Sequence, residues 1–206
     1  MAIIGAGNVG RALGGRWLAC NHDVRFGVPD PASAKYADLP AARLARPDAA
    51  AADAEAVILA TPWPNTEAAI RGLGDLAGKI VVDCTNPLRM GPGGLSLTVG
   101  HSTSGGELVA SWTRGACVFK AFNTTGAANM AEPRGYDPKP VMFVAGDDTA
   151  RKPLVMGLAR DLGFDAIDAG PLVVARLLEP LAMLWIDQAL NRGAGQNFAF
   201  AIVRRK

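Results

Sequence analysis

Ala2-Ile3-Ile4-Gly5-Ala6-Gly7-Asn8-Val9-Gly10 opens the chain with a short β-branched run followed by a G-x-G-x-x-G string. The string alone is weak evidence, because 24 glycines in 206 residues make chance matches plausible. Its setting is what counts: an apolar run reads as a strand before it, and Asn8 to Cys20 reads as an amphipathic helix after it. Val9, Leu13, Trp17 and Leu18 face inward on that helix. In this arrangement Gly5 permits the tight turn, Gly7 lets a diphosphate approach the backbone, and Gly10 lets helix and strand pack closely. The unpaired N–H groups and partial positive charge at the helix N-terminus attract an anion by about 0.3–2 kcal/mol. The expected ligand of this loop is the pyrophosphate of a nicotinamide dinucleotide.

Downstream, short β-branched runs alternate with Ala- and Leu-rich helical patterns, which predicts an α/β fold with a doubly wound parallel sheet of Rossmann type. Strands are expected at Asp23–Phe26, Ala56–Ala60, Lys79–Asp83, Cys117–Phe122, Val141–Ala145 and Phe164–Asp168. Helices are expected at Asn65–Arg71 and Glu107–Trp112, with another opened by Asp147-Asp148 and ending at Leu162. Residues 28 to 52 hold one or two short helices, and the Gly- and Pro-rich stretch from Asn86 to Gly106 reads as a long loop. After Gly170-Pro171 the texture changes to an apolar helical pattern. The expected division is a dinucleotide-binding domain over residues 1–170 and a small helical lobe over 171–206. Pro180 should split the lobe into a short helix and a longer one that carries Pro180 in its first turn.

Half the residues are apolar, 19% are charged and the net charge is +2. Nucleic-acid binding needs clustered cations, so it is not expected. The basic run Arg204, Arg205 and Lys206 reads as a frayed helix end. Cys20, Cys84 and Cys117 form no CxxC pair, so they read as small buried reduced thiols rather than a metal site. The opening residues leave no room for a signal peptide, and no apolar stretch reaches the roughly 18 residues of a membrane helix. A soluble, cytoplasmic protein is expected.

Cofactor choice turns on the end of the second strand. An NAD enzyme places Asp or Glu there, about 20 residues past the motif, for the ribose hydroxyls. Here the sequence is Phe26-Gly27-Val28-Pro29, with no acid before Asp30. NADP is therefore expected and NAD is the alternative; Ser33 and Lys35 are the nearest groups for a 2′-phosphate. Three further strand ends carry small, hydroxyl or amide residues: Thr61-Pro62-Trp63, Cys84-Thr85-Asn86-Pro87 and Asn123-Thr124-Thr125. Ligands bind outside the carboxyl ends of parallel strands, so these read as cleft lining, with Asn123 placed to touch a carboxamide. His22 and His101 read as surface groups, and Lys120 as a polar edge position in a strand.

Together, Gly5 to Gly10, Thr61-Pro62-Trp63, Lys120-Ala121-Phe122-Asn123-Thr124, Gly146-Asp147-Asp148 and Asp168-Ala169-Gly170-Pro171-Leu172 resemble the F420-dependent NADP oxidoreductase family. The oxidoreductase domain of the Steap metalloreductases is a more distant likeness. The resemblance implies a Rossmann domain with a small helical lobe, a homodimer, and hydride exchange between NADP(H) and the deazaflavin coenzyme F420. It places pyrophosphate contacts on Ala6, Gly7, Asn8 and Val9, later nucleotide contacts on Thr61, Asn65 and Ala127, and the nicotinamide-facing segment on Asn123 to Thr125. The family's Ser-Arg pair for the 2′-phosphate corresponds to Val28-Pro29 here. The expected reaction passes a hydride to F420 or a flavin as small-molecule acceptor, which needs ring alignment rather than a general acid, so no catalytic acid–base residue is expected. Two alternatives remain: a dehydrogenase or imine reductase using Lys120 or His101 as proton donor, and a non-catalytic dinucleotide sensor.

Overall fold

The computed structural model describes residues 1–205. In chain order its elements begin β1 (Ala2–Ile4), α1 (Asn8–Ala19), β2 (Arg25–Gly27), β3 (Leu44–Ala45), α2 (Pro47–Ala52), β4 (Ala56–Leu59), α3 (Trp63–Arg71) and β5 (Ile80–Asp83). They continue with β6 (Leu88–Gly91), β7 (Gly94–Leu97), α4 (Gly105–Trp112), β8 (Cys117–Lys120), α5 (Ala127–Ala131), β9 (Val141–Gly146), α6 (Lys152–Leu162), β10 (Asp165–Gly170) and α7 (Ala175–Asn191). Eight strands form one sheet in the order β10-β9-β8-β5-β4-β1-β2-β3. Alternate strand residues feed two apolar layers, as expected for a sheet covered on both faces. Ile3, Ile58 and Val82 pack with Leu13 and Trp17 of α1, while Ile4, Leu59 and Val81 pack with Ile70 of α3 and Val109 of α4.

The sheet departs from the all-parallel expectation at one seam, where β8 and β9 pair antiparallel. A parallel return requires a crossover from one end of the sheet to the other. After β8 the chain instead sets Phe122 against Trp17 of α1 (ring centroids 5.4 Å apart) and makes only the five-residue α5, which also packs against α1, before it enters β9. The β9-α6-β10 unit is then parallel within itself.

Several local expectations are corrected. The stretch read as a long loop contains an antiparallel hairpin, β6–β7, turning at Pro92-Gly93, whose glycines hid the alternation of Leu88, Met90, Leu95 and Leu97. β2 starts two residues later and ends one later than expected, and β3 is a short strand inside a region read as helical. α3 starts at Trp63, with Pro64 in its first turn. α4 starts at Gly105 because Ser104 caps it: the Ser104 hydroxyl accepts from Glu107 N–H at 3.1 Å and bonds the Glu107 carboxylate at 2.7 Å. Asp147 and Asp148 do not open α6. Asp148 accepts the Ala150 and Arg151 N–H groups in a turn, and Asp147 accepts the Leu172 N–H.

α7 is one helix of 17 residues with Pro180 inside it. An internal proline costs about 3 kcal/mol, and buried contacts on both sides of it (Ala175, Leu178 and Glu179 before, Ala182 and Trp185 after) offset that cost. The buried face is mostly small residues plus Trp185, and Leu177 (69%), Leu184 (50%) and Leu190 (62%) point outward. The basic C-terminal run is not a helix end. The chain leaves α7 at Asn191 and returns along β9, where Phe200 accepts the Val141 N–H at 2.9 Å. Arg204 and Arg205 are exposed on that tail, and Lys206 lies outside the described residues. Of the three free cysteines, only Cys84 is fully buried.

Candidate functional site

The turn between β1 and α1 is built as the glycine spacing demands. Gly5 has φ +101° and donates to the Gly27 carbonyl at 3.0 Å. A Cβ there would lie 2.7 Å from the Ala60 carbonyl oxygen, so only glycine makes the turn. A Cβ on Gly10 would run into the Gly5 carbonyl oxygen, which places Gly10 in helix–strand packing. Gly7 is the opposite case: nothing lies within 4 Å of where its Cβ would be, and no side chain caps α1 there. The first-turn N–H groups are left for an anion approaching from that side.

A cleft of 540 Å³ opens over this loop and the ends of β1, β2 and β4. Gly5, Ala6, Gly7, Asn8, Val9, Lys35, Thr61, Pro62 and Asn65 line it, as do Pro29, Tyr36, Pro47 and Cys84. Tyr36 and Pro47 had escaped sequence reading, since nothing local marks an aromatic or a helix-start proline as cleft wall. Other expected residues stand elsewhere. Val28 is wholly buried, the Ser33 hydroxyl is turned onto the Lys35 N–H, and Trp63 packs on Trp112 with ring centroids 5.6 Å apart.

At the β2 side of the cleft, Arg11 joins two walls. It donates to the Ala6 carbonyl at 2.9 Å and the Lys35 carbonyl at 2.8 Å, and pairs with Asp38. That hydrogen bond from Arg11 holds the Asp38 carboxyl below its ordinary pKa. The Lys35 ammonium lies 5.6 Å and the Arg11 guanidinium 5.9 Å from the Tyr36 ring centroid, so two cations stand beside this wall of the cleft.

Beyond Cys84, and outside the residues that line the cleft, the ends of β5 and β8 bring Asn86 and Asn123 together. Asn86 Nδ2 donates to the Asn123 carbonyl at 2.9 Å, and Asn123 Nδ2 donates to Asn86 Oδ1 at 3.0 Å and to the Leu178 carbonyl at 3.2 Å. Asn123 is 4% exposed and its Oδ1 has no hydrogen-bond partner among the described residues. Thr124 and Thr125 are also buried, Pro87 forms the root of the β6–β7 hairpin, and Ala127 begins α5. Thr125 Oγ1 accepts from Asn129 Nδ2 at 2.9 Å.

Lys120 is the main correction. β8 is an interior strand, and Lys120 is wholly buried rather than at an edge. Its Nζ lies 2.8 Å from Asp83 Oδ2 and 2.8 Å from Glu179 Oε1. Burial alone would lower its pKa, but the two carboxylates outweigh that and hold the ammonium above the ordinary lysine value. Nearby, burial first and the Asp83 charge second push the Cys84 thiol well up, so it stays protonated. His22 is a surface group paired with Asp161 at 2.9 Å, and His101 is exposed. Among the described residues no helix is long and apolar enough to cross a membrane, and no three His, Cys, Asp or Glu side chains are grouped to hold a metal.

Residues 1–87 match the family model described as NADP oxidoreductase, coenzyme F420-dependent. A solved structure from Arthrobacter sp. FB24, provisionally named an F420-dependent NADP-reductase, is 34% identical, covers 98% of each chain and superposes with a TM-score of 0.90. The hypothetical protein SMa0349 from Sinorhizobium meliloti is 30% identical over 86% of this chain and 88% of its own, with a TM-score of 0.75. The metalloreductase STEAP3 of Rattus norvegicus is 29% identical over 89% of this chain, which spans 37% of that protein's length. An imine reductase from Aspergillus terreus shares the fold alone, at 22% identity and a TM-score of 0.68. A glycine loop at a helix N-terminus, a cleft across the strand ends and this likeness along nearly the full chain lead to one conclusion: the chain belongs to the F420-dependent NADP oxidoreductase family, and it is an NADP-dependent oxidoreductase.

Proposed function

We propose that this enzyme moves a hydride between NADP(H) and a flat flavin or deazaflavin acceptor of the F420 kind. The observation that carries the reading is the cleft above the glycine loop, where the missing Cβ of Gly7 faces free space at the N-terminus of α1. Gly5 to Val9 would hold the pyrophosphate, with the adenosine against Pro29, Tyr36 and Pro47 and the 2′-phosphate near Lys35. Thr61, Pro62 and Asn65 form the wall beyond the pyrophosphate. The unpartnered Asn123 Oδ1 suits a carboxamide N–H donor, since a buried acceptor left unpaired costs about 1–3 kcal/mol. When bound, the nicotinamide supplies or accepts the hydride; the protein's part is to hold the ring edge and keep water from the transfer.

Lys120 is enclosed by Asp83 and Glu179, so it cannot hand a proton to a substrate in the cleft. That favours transfer between two rings over a lysine-assisted dehydrogenase or imine reductase. The exposed leucines of α7 support a homodimer across that helix, because outward Leu177 and Leu184 lie seven residues apart on one face. The test is NADPH oxidation with F420 and with FMN as acceptors, beside calorimetry with NADPH and NADH. Turnover with one of these acceptors, and tighter binding of NADPH, is expected. Binding of neither dinucleotide would overturn the reading.

A further inference from the structure

Lys120, Asp83 and Glu179 are each at most 1% exposed, and each comes from a different element: the end of β8, the end of β5 and the second turn of α7. One ammonium faces two carboxylates, and the excess negative charge meets the N-terminus of α4. There the Gly105 and Gly106 N–H groups donate to Glu179 at 2.9 and 3.0 Å. A buried ion cluster of this kind is a weak source of net stability, because apolar side chains of similar volume often do as well. What it supplies here is fixed geometry.

The contacts lead to Asn86 and Asn123, which do not line the cleft over the glycine loop themselves, though Asn86 follows closely on Cys84, which does. Lys120 Nζ donates to the Thr85 carbonyl at 2.6 Å, and Asp83 Oδ1 accepts the Thr85 N–H at 2.9 Å and its hydroxyl at 2.7 Å. The next residue is Asn86, which exchanges two hydrogen bonds with Asn123. Asn123 Nδ2 in turn donates to the carbonyl of Leu178, the neighbour of Glu179. The contacts form a closed ring, and the unpartnered Asn123 Oδ1 sits on it. Neither Lys120, Asp83 nor Glu179 lines the cavity over the glycine loop.

We propose that Lys120, braced by Asp83 and Glu179, is a positioning residue that holds Asn86 and Asn123 in place for the nicotinamide carboxamide. The proposal rests on the dinucleotide reading above and adds that the two ends of the site are held by separate machinery. Loosening the brace should therefore cost nicotinamide binding and leave adenosine and pyrophosphate binding alone.

The test compares two ligands, NADP⁺ and 2′-phospho-ADP-ribose, which lacks the nicotinamide, on wild type, Lys120→Met and Glu179→Gln. Lys120→Met leaves two facing buried carboxylates and can fail to fold. Glu179→Gln keeps the shape and the Lys120–Asp83 pair, so it is the fallback. In either folded variant the affinity for 2′-phospho-ADP-ribose should stay unchanged, while the preference for NADP⁺ over it falls about tenfold. In turnover, the KM for NADPH should rise by a similar factor and kcat should fall as well, because the ring is both held less tightly and aligned less well. An unchanged preference in folded Glu179→Gln, or equal weakening of both ligands, would overturn the brace. Failure of wild type to bind 2′-phospho-ADP-ribose would overturn the dinucleotide reading itself, and the brace with it.

Discussion

Replacing Gly7 and Gly10 separately distinguishes a glycine kept for a ligand from one kept for packing. Gly7 has φ −80° and ψ −166°, an extended conformation open to any residue, and its Cβ would meet nothing within 4 Å. Gly7→Val therefore costs the fold only N-cap preference, about 1 kcal/mol or less. For a domain of this size that lowers Tm by about 2–4 °C. The branched side chain would, however, fill the space reserved for the pyrophosphate and block about two charge-assisted hydrogen bonds of about 1.5 kcal/mol each. The expected loss is about 3 kcal/mol, roughly 100-fold in Kd for NADPH. Gly10→Ala drives a methyl into the Gly5 carbonyl oxygen, and that backbone, with the Ile3 side chain beside it, leaves little freedom to yield. It should destabilise by about 1–3 kcal/mol and lose binding only through unfolding. Calorimetry and thermal melts on both variants decide it. Wild-type affinity in Gly7→Val, or a melt as poor as that of Gly10→Ala, would refute the assignment of the pyrophosphate to this loop.

Pro29→Arg, at the cleft wall where the family resemblance implies an arginine, should strengthen NADPH binding by about 0.2–1 kcal/mol and leave NADH nearly unchanged; equal effects would show that residue 29 faces away from the 2′ position. Cys84 should resist thiol reagents at neutral pH in the folded protein and react once denatured, because burial and then Asp83 keep it protonated; rapid labelling of the native protein at Cys84 would contradict its placement. Leu184 is half exposed in the single chain, so Leu184→Glu should fold normally and sediment as a monomer where the wild type sediments as a dimer. A monomeric wild type at micromolar concentration would remove the dimer.

Local rules carried most of the fold. The glycine loop, its strand and its helix are legible because turn, close approach and helix packing each need a residue without a side chain at a set spacing. The hairpin at 88–97 was illegible because Gly91, Pro92, Gly93 and Gly94 outweigh four alternating apolar residues in any local count. The capping box Ser104-x-x-Glu107 was a missed signal that was present in the sequence. The antiparallel β8–β9 seam had no local signal, since strand direction depends on where the connecting chain packs, and α5 packs on α1.

The alternation of the main strands and helices, the glycine loop and the strand end at Thr61-Pro62 that borders the cleft follow from the sequence by itself, because each is set by neighbours within a few residues. Tertiary structure decided what distant residues do to one another. Lys120 reads as an ordinary polar strand residue until Asp83, 37 positions away, and Glu179, from the last helix, close around it. Asn86 and Asn123 become one hydrogen-bonded pair only when β5 and β8 lie side by side. The outward leucines of α7 likewise look like core until the helix is docked, when its small residues and Trp185 prove to be the buried face. Which side of an all-round apolar helix turns inward is set by the shape of the surface that receives it, and that shape exists only in the folded chain.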